Sequence, residues 1–65
     1  MLNVNLLKAE MVKNGYTQYS LAEALGMSQR TFYSRLKTGD FGALEIGRMI
    51  NLLHLESPMD IFFAE

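Results

Sequence analysis

The chain has 65 residues, no cysteine, one histidine and a formal net charge of -1. That length holds one small domain with one core, and the lack of cysteine excludes disulfide staples and a zinc finger. With 49% hydrophobic and 20% charged residues the composition is that of a folded domain rather than a disordered one.

The N-terminal MLNVNLLKAE is broken by Asn and Lys and does not read as a signal peptide. No apolar run approaches membrane-spanning length. The expectation is a cytoplasmic protein with no membrane partner, which the absence of cysteine fits. Val4 to Asn14 reads as the first helix, with Val4, Leu7 and Met11 on one stripe. Asn14-Gly15 stops it, and Tyr16 packs at the start of the next helix. Thr17 is the N-cap of a second helix in which Leu21, Ala22 and Leu25 make the apolar face. Gly26 ends that helix, since glycine takes the left-handed conformation without a Cβ penalty. Met27 is a buried-type residue in the turn. Ser28 caps a third helix, Gln29 to about Lys37, with Phe32 and Leu36 inward and Gly39 as its stop.

Thr38 to Gly42 is a loop from which Phe41 tucks into the core. The fourth helix runs from Ala43 to about His54, and Ile46, Met49, Ile50 and Leu53 give the cleanest amphipathic pattern in the chain. Gly47 inside it costs roughly 1 kcal/mol relative to Ala, for which close helix packing is the expected reason. Ser57-Pro58-Met59-Asp60 starts a short fifth helix, with Ser57 as N-cap, Pro58 at N1 and Asp60 placed to close a capping box. No stretch alternates with period two long enough for a strand, so the expected fold is all-α with five short helices.

Two helices joined by a short turn containing Gly make a helix-turn-helix unit. Gln18, Ala22, Gly26 and the Met27-Ser28-Gln29 turn resemble the helix-turn-helix of the Cro and phage-repressor family, also called XRE-like. In that family a Gln opens helix 2, a small Ala sits at the helix crossing and a Gly makes the turn. Gly15-Tyr16-Thr17, Phe41, Glu45 and Ile61-Phe62-Phe63-Ala64 are similar to short prophage regulators, so the resemblance covers nearly the whole chain. One departure is Arg35, where many members place an apolar residue; Leu36 takes the inward role instead. The resemblance implies a lambda-repressor-like domain that binds an operator on double-stranded DNA and regulates transcription.

On that reading the outer face of the third helix meets the major groove. Gln29, Arg30, Tyr33 and Ser34 are the candidate base contacts, because Arg matches guanine, Gln matches adenine and Ser allows close approach. Tyr33 has three open roles: a thymine methyl, a phosphate, or a half-buried place beside Phe32. Thr17 and Gln18, at a helix N-terminus, are candidate phosphate contacts, with plain capping as the other reading. Thr31 and Lys37 join them. Arg35 either reaches phosphate or pairs with an acid on the fourth helix. Net charge opposes this assignment, yet Ala24 to Gly39 carries Arg30, Arg35 and Lys37 and no acid, and the local field is what steers a protein onto phosphate.

A lone His54 reads as a helix-end residue rather than a metal ligand or catalyst, and the five Met residues as core filler. Leu52, Leu55, Met59, Ile61, Phe62 and Phe63 exceed what one small core needs at that end of the chain. Leu52, Leu55, Phe62 and Phe63 are the candidate homodimer interface, the other reading being that all of it folds back onto the first helix. The chain is thus expected to act as a homodimeric regulator without enzymatic chemistry, cofactor or small-molecule ligand. The alternative is a helical protein-interaction module, an antirepressor or heterodimer partner, that keeps the fold without touching DNA.

Overall fold

In the computed structural model, which describes residues 1–65, the chain forms α1 (Val4–Lys13), α2 (Gln18–Ala24), α3 (Gln29–Thr38), α4 (Ala43–Leu53) and α5 (Pro58–Phe62), with no strand. Local signals make most of the boundaries. Asn3 Oδ1 accepts from the Leu6 N–H at 3.0 Å and caps α1. Thr17 and Ser20 cap α2 reciprocally, each side-chain oxygen accepting the other's backbone N–H at 3.0 and 2.9 Å. Ser28 Oγ accepts from the Thr31 N–H at 3.1 Å and opens α3.

The last two helices start differently. Gly42 has no side chain to cap α4, and Glu45 Oε1 reaches back to the Gly42 N–H at 2.8 Å. At α5, Pro58 occupies the first turn as expected, but the Ser57 hydroxyl makes no capping bond. Ser57 lies at φ -131°, ψ 66°, away from the extended backbone of the other N-cap residues, and the Asp60 N–H bonds to its carbonyl instead at 3.1 Å. The expected capping box is therefore absent. At the C-terminal ends, Gly26 follows α2 at φ 74° and Gly39 closes α3 at φ 73°. The left-handed backbone favours glycine at position 39, and a Cβ there would also come within 3.2 Å of Leu2 Cβ, a tight contact. His54 ends α4 through its backbone, in the left-handed conformation at φ 50°.

The core is one cluster to which all five helices contribute. Leu7 and Met11 enter from α1, Leu21 and Ala22 from α2, Phe32 and Leu36 from α3, Met49 and Leu53 from α4, and Ile61 and Phe62 from α5. Leu25, at the end of α2, and Phe41, from the loop after α3, complete it with Leu55. Phe32 and Phe41 meet with ring centroids 5.7 Å apart in a tilted arrangement. No polar residue is buried. Ile46, Ile50, Met27 and Tyr16 are partly buried against the cluster. The radius of gyration, 10.5 Å, is that of a fully compacted chain of this length, about 10.7 Å.

Two of the four residues expected at a subunit interface belong to this core. Leu55 and Phe62 are each 7% exposed within the single chain. The surplus of apolar residues at the C-terminus is smaller than the sequence suggests, because α5 folds back against α1. The Asn3 N–H donates to the Ile61 carbonyl at 2.7 Å and the Ala64 N–H to the Met1 carbonyl at 2.8 Å. The other end of α1 is tied as well: Asn14 Nδ2 donates to the carbonyls of Glu10 at 2.8 Å and Leu53 at 2.9 Å. No helix is long and apolar enough to cross a membrane.

α2 packs directly on α3. Ala22 of α2 is only 1% exposed and belongs to the core cluster. Ala22→Leu is expected to overpack it and lower stability by about 1–3 kcal/mol in urea denaturation. Gly47 behaves in the opposite way. A Cβ there meets nothing within 4 Å, so close packing is not its reason. Gly47→Ala is expected to raise stability by about 0.5–1 kcal/mol, seen as a higher thermal midpoint.

Candidate nucleic-acid interface

The exposed side of α3 follows from its buried side. At about 100° per residue, burying Phe32 and Leu36 turns Gln29, Tyr33 and Lys37, spaced i, i+4, i+8, onto one flank. Arg30 lies further out beside them. Thr31 and Arg35, also i and i+4, fall on the opposite flank. The two flanks meet different neighbours.

On the first flank, Gln18 of α2 joins Gln29, Arg30 and Tyr33 of α3 around one open depression. The N-terminal turns of both helices therefore contribute to the same place. Tyr33 is 52% exposed and is covered in part by its neighbour one turn on, with Lys37 Nζ 5.0 Å from the ring centroid. Tyr33 is thus about half exposed on the surface of α3. Ser34 is exposed further round the helix. Thr17 stands at the start of α2, its hydroxyl in the cap with Ser20.

The second flank is occupied. Arg35 Nη1 donates to Glu45 Oε1 at 2.6 Å. Of the two fates open to Arg35, the ion pair to an acid on α4 is the one adopted, and its placement at phosphate is corrected accordingly. The same carboxylate oxygen takes the Gly42 N–H, so Glu45 joins the end of α3 to the start of α4. A partly exposed pair of this kind contributes about 0.2–1 kcal/mol. Thr31 is partly buried, and its hydroxyl accepts from Ser28 Oγ at 3.0 Å. Its hydroxyl is thus part of the α3 cap, as that of Thr17 is part of the α2 cap.

Two residues of this side were not singled out in the sequence. Tyr19, 53% exposed, lines an adjoining depression with Glu23, Met27, Ser28 and Gln29. Its position off the Leu21–Ala22–Leu25 stripe is the signal that marks it as outward. Lys8 of α1 lies with Lys37 and Tyr33 around a further depression. Its own helix gives no sign of that neighbourhood. Glu23 is the single carboxylate on these three linings.

Comparisons with known protein families, with curated proteins and with solved structures give no match. Function is therefore read from the face itself. It is an open, polar surface of amide, guanidinium, phenol and ammonium groups from adjacent helices. No three His, Cys, Asp or Glu side chains come together as a metal-binding group.

Proposed function

We propose that the chain is a sequence-specific regulator that binds double-stranded DNA, of the Cro and phage-repressor type, with α2 and α3 as its helix-turn-helix in a lambda-repressor-like domain. The observation that carries this reading is the single depression lined by Gln18, Gln29, Arg30 and Tyr33. α3 enters the major groove with its N-terminal half, where Arg30 offers paired donors to a guanine edge, Gln29 a donor and an acceptor to an adenine edge, and Ser34 permits close approach. Thr17, Gln18 and Lys37 hold phosphates on either side. The protein acts by occupying an operator and does no chemistry, with neither cofactor nor small-molecule ligand in this reading.

One recognition helix reads few base pairs, and few unpaired cations are available to hold a monomer on DNA. A homodimer with twofold symmetry would set two copies of α3 in successive major grooves, about 34 Å apart, on a pseudo-palindromic site. With Leu55 and Phe62 in the core, the apolar residues left for that contact at the C-terminal end are Phe63 and Met59, 58% and 65% exposed, with Leu52 partly exposed. The second reading, a module that binds another regulator, is favoured by the Arg35–Glu45 pair, which removes one of the cations of α3 from the surface field. Failure to bind heparin or bulk duplex at low salt would decide for it.

Selection of bound sites from a random duplex library tests the DNA-binding reading. Arg30→Ala is then expected to lose about 1–3 kcal/mol on the selected site and relax preference at one base pair. Lys37→Ala is expected to weaken all sequences alike and reduce the salt slope by about 1. Equal, sequence-independent losses for both would remove direct readout. For assembly, Phe63→Ser should yield a folded monomer by circular dichroism and sedimentation, with a steep loss of operator affinity. A wild-type protein that is monomeric at tens of micromolar and still binds one half-site tightly would exclude the dimer.

A further inference from the structure

Tyr33 is a wall shared by two depressions. One is the site of Gln18, Gln29 and Arg30; the other is bounded by Val4 and Lys8 of α1 and by Leu36 and Lys37 of α3. The second is lined by two lysines from different helices and by no carboxylate. Both of the chain's salt bridges lie elsewhere, at Lys13–Glu10 and Arg35–Glu45. The remaining walls are aliphatic or aromatic. Two like charges around one concavity with low-dielectric sides focus a positive potential there, which favours an anion. From Arg30 the next turns of α3 lead past Tyr33 to Lys37 and this concavity.

We propose that Lys8 of α1 and Lys37 of α3 together seat one phosphate of the duplex backbone, which extends the DNA contact from α2 and α3 to the first helix. This rests on the DNA-binding reading above. The contact positions the duplex and carries no sequence information. Val4 and Leu36 give the lysine stems apolar surface to lie on while their charged ends reach the anion.

α1 supplies its own control. Lys8 and Lys13 are five residues apart, about 140° around the helix. Lys13 faces the other way, onto a depression with Glu10, Glu56 and Asp60. Removing either lysine changes the net charge equally, but only Lys8 adjoins the proposed site.

The test is fluorescence anisotropy of a labelled mixed-sequence duplex with the full chain over a range of salt concentrations. Because both lysines are needed to seat the one phosphate, Lys8→Gln is expected to lose that contact and reduce the slope of log K against log salt by about 0.9, with no further fall when Lys37→Gln is added. Its affinity should fall alike on every sequence. Lys8→Arg should keep the wild-type slope, Lys13→Gln should leave it unchanged, and circular dichroism should be the same for all, since both side chains are exposed. An unchanged slope for Lys8→Gln beside a reduced one for Lys37→Gln would remove α1 from the footprint and leave the DNA-binding reading intact. Equal reductions for Lys8→Gln and Lys13→Gln would reveal a net-charge effect, which also overturns the seat. A wild-type chain that binds no duplex at low salt would overturn the DNA-binding reading itself.

Discussion

The close packing of α2 on α3 is the contact from which the rest of the surface follows. Both helices turn buried residues into the core, Leu21 and Ala22 from α2 and the fully buried Phe32 from α3. With Phe32 and Leu36 turned inward, helical periodicity leaves no freedom in where the other residues of α3 point. Gln29, Tyr33 and Lys37 take one flank; Thr31 and Arg35 take the other. The neighbour on each flank then decides its use. α2 and α1 bring Gln18 and Lys8 to the first, and α4 brings Glu45 to the second.

Charge has to be counted by face rather than by chain. Of the six Lys and Arg residues, two are taken up by Glu10 and Glu45, leaving four: Lys8, Arg30, Lys37 and Arg48. Three of those four line the two depressions that share Tyr33, and Arg48 reaches the Leu25 carbonyl at 3.4 Å instead. The molecule measures 28 × 23 × 20 Å, more than twice the screening length of about 8 Å at physiological salt. Acids such as Glu56 and Asp60, on the far flank of α1 beside Lys13, therefore offset the sum of charges more than they offset the field at Tyr33. A net charge of -1 and a locally positive face coexist for that reason.

A 65-residue chain without disulfides has little stability to spare, and α1 serves as its brace. A five-residue helix such as α5 is too short to persist alone. Ile61 and Phe62 anchor it in the core, while the backbone bonds from Asn3 and Ala64 hold it to the N-terminal segment. Asn14 fastens the opposite end of α1 to the end of α4. Because α5 spends Phe62 on the core, Phe63 is left outward on the far side of that short helix.

The helices themselves were legible in the sequence. Thr17 and Ser28 cap, Gly26 and Gly39 stop, and the stripes through Leu7, Leu21, Phe32 and Met49 choose the buried faces; each acts over three or four residues and needs no knowledge of the fold. Ser57 shows the limit of such local rules, since its cap depends on a backbone angle that the path into α5 sets. What only the tertiary structure decided are the pairings across distance in the chain. Arg35 finds Glu45 ten residues on, and Asn14 finds the Leu53 carbonyl 39 residues on. Lys8 comes to lie beside Lys37, and Leu55 and Phe62 go inward where the sequence suggested a subunit contact. Periodicity determines which side of a helix is apolar, but which helix covers that side is settled only when all five compete for one small core.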